Sequence, residues 1–580
     1  MADPTPKQLI RVLTDLHHGG HAVSDTAKPD EAAITADAAP LEAVIQWAAP
    51  QALEAISTPF GYLFGDLEAA YPAKHLPVEP ASAVVAGLKA LGSAMVDAPP
   101  DAEPNSTIPP VYTYWGQFVD HDLTANTDRN DVVSIIGDPL TPIDPALVPG
   151  TLHNLREPAL NLDSVYGNGP GDAVVPYDGI TFHIGNLTPV SIPGQVAVPG
   201  GDLPRTTASA DGTIVGGKAL IGDSRNDENL VVAQLHLAFL RFHNAVVDWL
   251  ATNEPELCDD DARFARAREL TRWHYQAIVV EDFLRTVAMS SVVDDVLASS
   301  ADEKVTNADG ETFMPLEHSV AAYRFGHSMV RAEYDYNENF GRNADGTEKT
   351  PNRARATFEQ LFQFTGNNFI HVPPVPDFPL PFPLPTLPDN WPIRWTRFTD
   401  KSSTFTDRFA RKIDTHLAPP LKDLINEGKK PDGTDLDDVR VRRILKRLAV
   451  RNLLRGYRLG LPTGQAVAAA LGVTPLTAGE LTGGDQGVAD ALIDGGFVDA
   501  TPLWFYVLRE AEVQAQGQHL GEVGSRIVCT TLIGQIQADP YSYLNRPGTA
   551  WTTAEGVKLT GGGGAVDSIR AFLEFAGVQI

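Results

Sequence analysis

Apolar positions recur with a period near 3.6 over four long stretches of this chain, 230–250, 262–287, 439–454 and 501–513. Runs that alternate apolar and polar residues are sparse. That pattern predicts helices with one face turned to a core, and so a mainly α fold with little β structure. Ser224 to Glu228 places small polar and acidic residues just ahead of the first stretch, the composition of a helix start. Between 373 and 392 stand nine prolines in twenty residues, which excludes helix and central strand and leaves an extended course. Phe378, Phe382 and Trp391 lie among them and suit a rigid connection packed on the surface better than a ligand for a partner. Four consecutive glycines within 560–565 mark a turn or linker.

A further helix follows from the residues between Tyr112 and Thr124. In helical form, Gln117, Asp120 and His121 stand at i, i+3 and i+4 and share one face. Tyr112, Trp115 and Val119 make the apolar remainder that would hold the helix in a core. An amide, a carboxylate and an imidazole aimed at one point make an acid–base site or a cofactor wall; the plainer alternative is a hydrogen-bonded buried histidine. Three more unusual clusters follow along the chain. Gly222-Asp223-Ser224-Arg225-Asn226-Asp227-Glu228-Asn229 opens the first long helical stretch, with Arg225 and Glu228 at i, i+3. Tyr323-Arg324-Phe325-Gly326-His327 puts an arginine one turn before a histidine. Arg451-Asn452-Leu453-Leu454-Arg455-Gly456 precedes Gly460-Leu461-Pro462.

In this order, the four segments resemble the animal-type haem peroxidases, the superfamily that also holds the cyclooxygenases and fatty-acid dioxygenases. The resemblance runs from about Tyr112 to about Pro540. It implies a large single helical haem-peroxidase domain over 105–545, an N-terminal arm over 1–104 that wraps it, and a C-terminal extension over 546–580. It also implies a haem b with His327 as proximal iron ligand and Asn452 hydrogen-bonded to the far nitrogen of that ring. An amide partner draws the ring proton less than a carboxylate would, so a less electron-rich iron is expected. Arg324 and Arg455 would pair with the propionates, whose geometry matches the arginine fork. On the distal side His121 would be the acid–base group, Arg225 the charge beside the breaking O–O bond, and Gln117 the residue that orders a water or halide. Asp120 and Glu228 stand at the family's ester positions, so a doubly ester-linked haem is expected; Asn229, in place of a methionine, excludes a third, sulfonium link.

The resemblance brings a calcium site as well: Asp122, with Glu157, Ala159 through its carbonyl, Asn161 and Asp163 from one loop, all oxygen donors as a hard cation requires. Two positions depart from the family, which has a hydroxyl residue where Glu157 stands and an aspartate where Asn161 stands. The implied activity is reduction of hydrogen peroxide through a ferryl intermediate, with oxidation of a halide, thiocyanate or small organic donor. A fatty-acid oxygenase on the same fold would carry a radical-forming tyrosine three residues before the proximal histidine. Arg324 occupies that position, and Tyr323 is one residue off and would point elsewhere on the helix. A non-catalytic haem or adhesion protein would not need Gln117, His121 and Arg225 together.

The formal net charge of -29 and the lack of any Lys/Arg-rich run argue against a nucleic acid or an anionic membrane as partner. No apolar stretch long enough to span a bilayer is expected, and the N-terminus lacks a basic-then-apolar leader. The expectation is a monomeric bacterial protein, cytoplasmic or exported by a non-classical route, whose partners are hydrogen peroxide and a small electron donor. Cys258 and Cys529 are too few for a disulfide framework and read as buried apolar residues. His236, His243, His274 and His318 fall in helical patterns and read as structural; His17, His18 and His21 form a small solvated cluster.

Overall fold

The computed structural model describes residues 58–97, 105–125, 140–149, 151–206, 217–342, 355–366, 384–424, 427, 439–560 and 563–578. The His17, His18 and His21 cluster, Phe378 and Phe382 lie outside the described residues. Among the described residues helix makes up 48% and strand 8%, so the mainly α expectation holds. The helices that position the site are α1 (Ala81–Ala94), α2 (Val111–Leu123), α3 (Leu230–Asn253), α4 (Asp260–Ile278), α5 (Leu448–Arg458), α6 (Leu503–Ala515), α7 (Glu522–Ala538) and α8 (Ile569–Phe575).

Helix α2 starts directly after Pro110, where a missing backbone N–H costs nothing. It packs on α3, and its apolar face is aromatic. Phe118 stacks on Phe239 of α3 at 4.3 Å, and Trp115 meets Phe572 of α8 edge-on at 5.5 Å. Phe572 also stacks on Phe242 at 4.1 Å, so the segment expected as a C-terminal extension delivers a ring into the middle of the core. The C-terminal end of α2 is fastened from outside the helix, as unpaired last carbonyls require. Asn154 donates to Leu123 O at 2.8 Å and accepts from Ala125 N at 2.8 Å. Asn154 belongs to a small sheet in which β1 (Thr58–Gly61) pairs antiparallel with β2 (His153–Asn154) and parallel with β3 (Met314–Pro315).

Three sequence expectations change here. The stretch 439–454 is two helices, Val439–Lys446 and α5, broken where Arg447 takes an extended backbone (φ -97°, ψ 95°). Helix α3 is long and apolar enough to span a membrane, although most of it is buried inside the protein. Gln234, His236, Arg241 and His243 interrupt its apolar run and hide its length from inspection. Cys529 is buried, but Cys258 is exposed; both are free.

Three of the four histidines read as structural behave so. His243 joins Tyr166 Oη and Ile180 O, both at 3.0 Å, and His274 bonds Val566 O at 2.9 Å and accepts from Val557 N at 3.1 Å. His318 stacks on Tyr323 at 4.6 Å. The fourth, His236, is buried behind the segment ahead of α3, with its Nδ1 3.0 Å from Asn226 Nδ2. Trp391, read as packing the proline-rich connection, is fully buried against Phe340 and Phe364.

Candidate active site

A cavity of roughly 1680 Å³, counting its open mouth, gathers residues from four distant segments. Helix α2 contributes Tyr112, Gln117, Asp120 and His121. The segment ahead of α3 contributes Arg225, Glu228 and Asn229. A turn at 322–327 brings Tyr323, Arg324 and His327, and α5 brings Arg451 and Arg455. Every haem-site residue expected from the sequence lines this one cavity except Asn452, which stands behind His327. The residues also include Tyr323, expected to point elsewhere on the helix. The segment is not α-helical: a π turn (Glu317–Ala321) runs into a 3₁₀ turn (Ala322–His327), which changes the angular step between neighbours.

On the α2 side the segment Ser224–Asp227 is likewise a 3₁₀ turn, capped by Asp223, and Asn229 then caps α3 by accepting from Val231 N and Val232 N, both at 3.1 Å. This local chain course turns Arg225 back onto α2. Its Nη2 donates to His121 O at 2.7 Å and to Asp223 Oδ2 at 2.5 Å, its Nη1 to Thr124 O at 2.5 Å, and its Nε to Asp223 at 3.0 Å. Of the five N–H groups of a guanidinium, one on Nη1 remains. Arg225 is therefore first a clamp on the end of α2 and only then a charge for the cavity. Gln117 is similarly engaged, accepting from Asn229 Nδ2 at 3.1 Å and donating weakly to Glu228 Oε2 at 3.4 Å. His121 is buried, with its Nδ1 2.9 Å from Asn226 Oδ1.

Arg156 and Asp223 were not singled out from the sequence, and they hold this region together. Arg156 pairs with both Asp223 and Asp163, while Asp223 also receives Arg225. Burial pushes the Asp223 carboxyl up, but Arg156 and Arg225 outweigh it and hold the group well below the usual carboxylate range. Their sequence signal was present only as an arginine beside the 157–163 loop and an aspartate inside the Gly222–Asn229 cluster. Arg156→Ala would take the ion pair from the partly buried Asp163 and leave the buried Asp223 with Arg225 alone, and removing one partner of a buried pair typically costs about 3–5 kcal/mol. Urea unfolding should show that loss; a change within ~1 kcal/mol, the range of an exposed pair, would assign Arg156 to the surface class instead.

The fourth segment holds the histidine of the 322–327 turn. Asn452 lies 2.8 Å from His327 Nδ1 through its Nδ2, and its Oδ1 accepts from Arg324 Nη1 at 3.1 Å. The expected pairing is present, but in the opposite sense: a guanidinium can only donate, so the amide oxygen is turned to it and the amide N–H to the imidazole. A neutral ring that accepts at Nδ1 carries its proton on Nε2. A metal at Nε2 then requires loss of that proton or a half-turn of the amide. Trp504 of α6 donates to Arg324 O at 3.1 Å and fixes the turn.

These residues fit a haem. Burial presses the pKa of Arg324 down to about 10, with Asp120 opposing, and that of Arg455 down to about 9. Two arginines whose charge is disfavoured, Arg455 buried and Arg324 partly so, both line the cavity and suit two carboxylates of a bound group. The calcium loop fits its ion only in part. Asp163 Oδ1 is buried without a hydrogen-bond partner. Burial, then Asp163, pushes the Asp122 carboxyl up to about 7. Asp122 meanwhile accepts from Leu162 N at 3.2 Å and Ser164 Oγ at 3.0 Å. Asn161 donates to Glu157 Oε2 at 2.5 Å, so two expected ligands face each other, and Ala159 O accepts from Gln276 at 3.4 Å. Among the described residues no group of three or more His, Cys, Asp or Glu side chains is gathered as for a metal.

A family model described as animal haem peroxidase matches residues 185–369, a span that holds Arg225, Glu228, Arg324 and His327. The chorion peroxidase of Aedes aegypti is 27% identical over 118 residues, 20% of this chain and 15% of that protein. A peroxidase-like protein of Margaritifera margaritifera is 30% identical over 125 residues, 20% of this chain and 14% of that protein. The matched stretches are thus a small part of these relatives' length. Fatty acid alpha-dioxygenase of Oryza sativa, solved with palmitic acid, has the same fold, with a TM-score of 0.51 at 13% identity over 99% of this chain and 87% of that one.

Proposed function

The chain belongs to the peroxidase–cyclooxygenase superfamily, and from that premise we propose that it is a haem peroxidase that reduces hydrogen peroxide and oxidises a small donor. The observation that carries the reading is the joining of His121, Arg225 and Gln117 with His327, Arg324 and Arg455 around one cavity. Haem, when bound, supplies the iron and the electrons that cleave the O–O bond. His327 would hold the iron, with Asn452 and Arg324 fixing its ring, and Arg324 and Arg455 would take the propionates. His121 accepts a proton from the near oxygen of peroxide and returns it to the departing one. The positive charge of Arg225 and its remaining Nη1–H stabilise the charge that builds on that oxygen. Gln117, held by Asn229 and Glu228, offers its second N–H to a water or anion. The proposed donor is a halide, thiocyanate or small organic molecule, and turnover with bromide, iodide, thiocyanate and a phenolic donor side by side tests the proposal and its donor together. No peroxide consumption with any of them, in haem-loaded protein, would sink it.

Asp120 and Glu228 both line the cavity and are the residues proposed to esterify the haem. After exposure to peroxide, haem should stay with the polypeptide through acid–organic extraction and denaturing electrophoresis. Asp120→Asn and Glu228→Gln should each leave one link, and the double variant should release its haem. Complete extraction from the treated parent protein would remove the ester assignment and leave the peroxidase reading standing. A sulfur-modified haem would be more damaging, since Asn229 offers no sulfur.

We assign calcium to Asp122 and Asp163, on the strength of the orphaned Asp163 Oδ1. Binding to the folded state alone stabilises it by mass action, about 2.7 kcal/mol at a hundredfold excess over Kd. Calcium added to chelator-treated protein should therefore raise Tm by several degrees where magnesium does not. An unchanged Tm would assign the pair to Arg156 alone.

A further inference from the structure

We propose that His236 is a positioning residue for His121, acting through the amide of Asn226; this rests on the peroxidase reading of the cavity. Three side chains from three elements form one line. His121 Nδ1 on α2 lies 2.9 Å from Asn226 Oδ1 in the 3₁₀ turn, and Asn226 Nδ2 lies 3.0 Å from His236 Nδ1 on α3. All three are buried, with relative exposures of 2%, 0% and 0%, so no solvent competes for these bonds. With the amide oxygen facing His121 the polarity runs one way, and the His236 proton then sits on Nε2, which is buried without a hydrogen-bond partner. The amide oxygen must receive a proton, so His121 carries its hydrogen on Nδ1; the amide N–H₂ must give one, so His236 presents a lone pair on Nδ1. A neutral imidazole has one N–H, which leaves Nε2 of His121 as the proton acceptor, the state in which a general base has to wait.

The packing around the line keeps it in place. Asn226 N donates to Asp223 O at 3.0 Å, which fixes the turn, and the Phe118 ring meets the His236 ring at 6.2 Å. Burial holds the His236 pKa down to about 3, so the ring stays neutral and is able to offer a lone pair at Nδ1. The reversed line uses the same heavy atoms: an Nδ1–H on His236, the amide turned over, and His121 carrying its hydrogen on Nε2. That arrangement would present a donor where the base is needed.

Haem-loaded parent protein, His236→Leu, His236→Asn and Asn226→Leu separate the possibilities. Three quantities are read: haem content, the single-turnover rate with peroxide, and the C–O stretching band of the ferrous protein under carbon monoxide. In His236→Leu haem content should stay at the parent level, and the peroxide step should slow by roughly 10²-fold, the low end of what a general base contributes. The C–O band should gain a lower-frequency component as Nε2–H forms and donates to the probe. His236→Asn puts an amide oxygen near the place of Nδ1 and should restore the rate and the single band. Asn226→Leu cuts the same line from its middle and carries the same expectation if His236→Leu does not fold. The proposal is overturned by a parent-like rate and band in the leucine variants. Failure of His236→Asn to rescue, or a parent band already at the low-frequency position, would overturn it too. A parent protein inert to peroxide whose C–O band still responds to these variants would defeat the peroxidase reading and leave the line standing.

Discussion

His327→Ala is expected to yield a folded protein that binds almost no haem. The side chain sits at the end of a 3₁₀ turn and is only partly buried, and the turn is fixed independently by Trp504 on Arg324 O, so truncation leaves little cavity strain. What it removes is the one imidazole that Asn452 and Arg324 orient together. Loss of an outer hydrogen-bond partner already lowers metal affinity by roughly 10- to 100-fold, and loss of the ligand itself should exceed that. Titration of the variant with haem, followed by the Soret band, checks it. Saturable one-to-one binding with parent affinity would show that another side chain holds the iron.

The second large effect is on rate. His121→Ala should retain haem and slow the reaction with peroxide by about 10²–10⁴-fold, because the proton that must move between the two peroxide oxygens has lost its carrier. Arg225 cannot substitute, having four of its five N–H groups committed to Asp223, His121 O and Thr124 O. Those carbonyl bonds are to the backbone and survive the alanine, so the end of α2 should keep its place. Stopped-flow measurement at limiting peroxide separates the outcomes; ferric haem converting at the parent rate would take His121 out of the mechanism.

Periodicity made much of this architecture legible. The stretches at 230–250 and 501–513 became α3 and α6 nearly as bounded, because long amphipathic patterns dominate local choice. The shared face of Gln117, Asp120 and His121 followed from the 3.6 repeat alone, and α2 presents all three to the cavity. Contacts between remote segments were not legible. Arg156 meets Asp223 across 67 residues, and nothing in the spacing of either announces it. The sense of the Asn452 bond depends on Arg324 lying against the amide, which sequence cannot place. His236 looked like any buried helix histidine, since its partner comes from the turn before the helix and its consequence from a third element. The break at Arg447 and the 3₁₀ and π turns around His327 lie where the helical period is interrupted, and a window of residues averages such interruptions away.

The central claim is that one cavity holds a histidine-ligated haem beside a histidine that moves a proton on peroxide. Mixing stoichiometrically haem-loaded protein with one equivalent of hydrogen peroxide, and following the Soret band over milliseconds, addresses both halves at once. The account predicts a one-to-one haem complex whose band shifts in a single fast phase and returns when an electron donor is added. A saturably bound haem whose spectrum peroxide leaves unchanged, or bleaches without return, would contradict it.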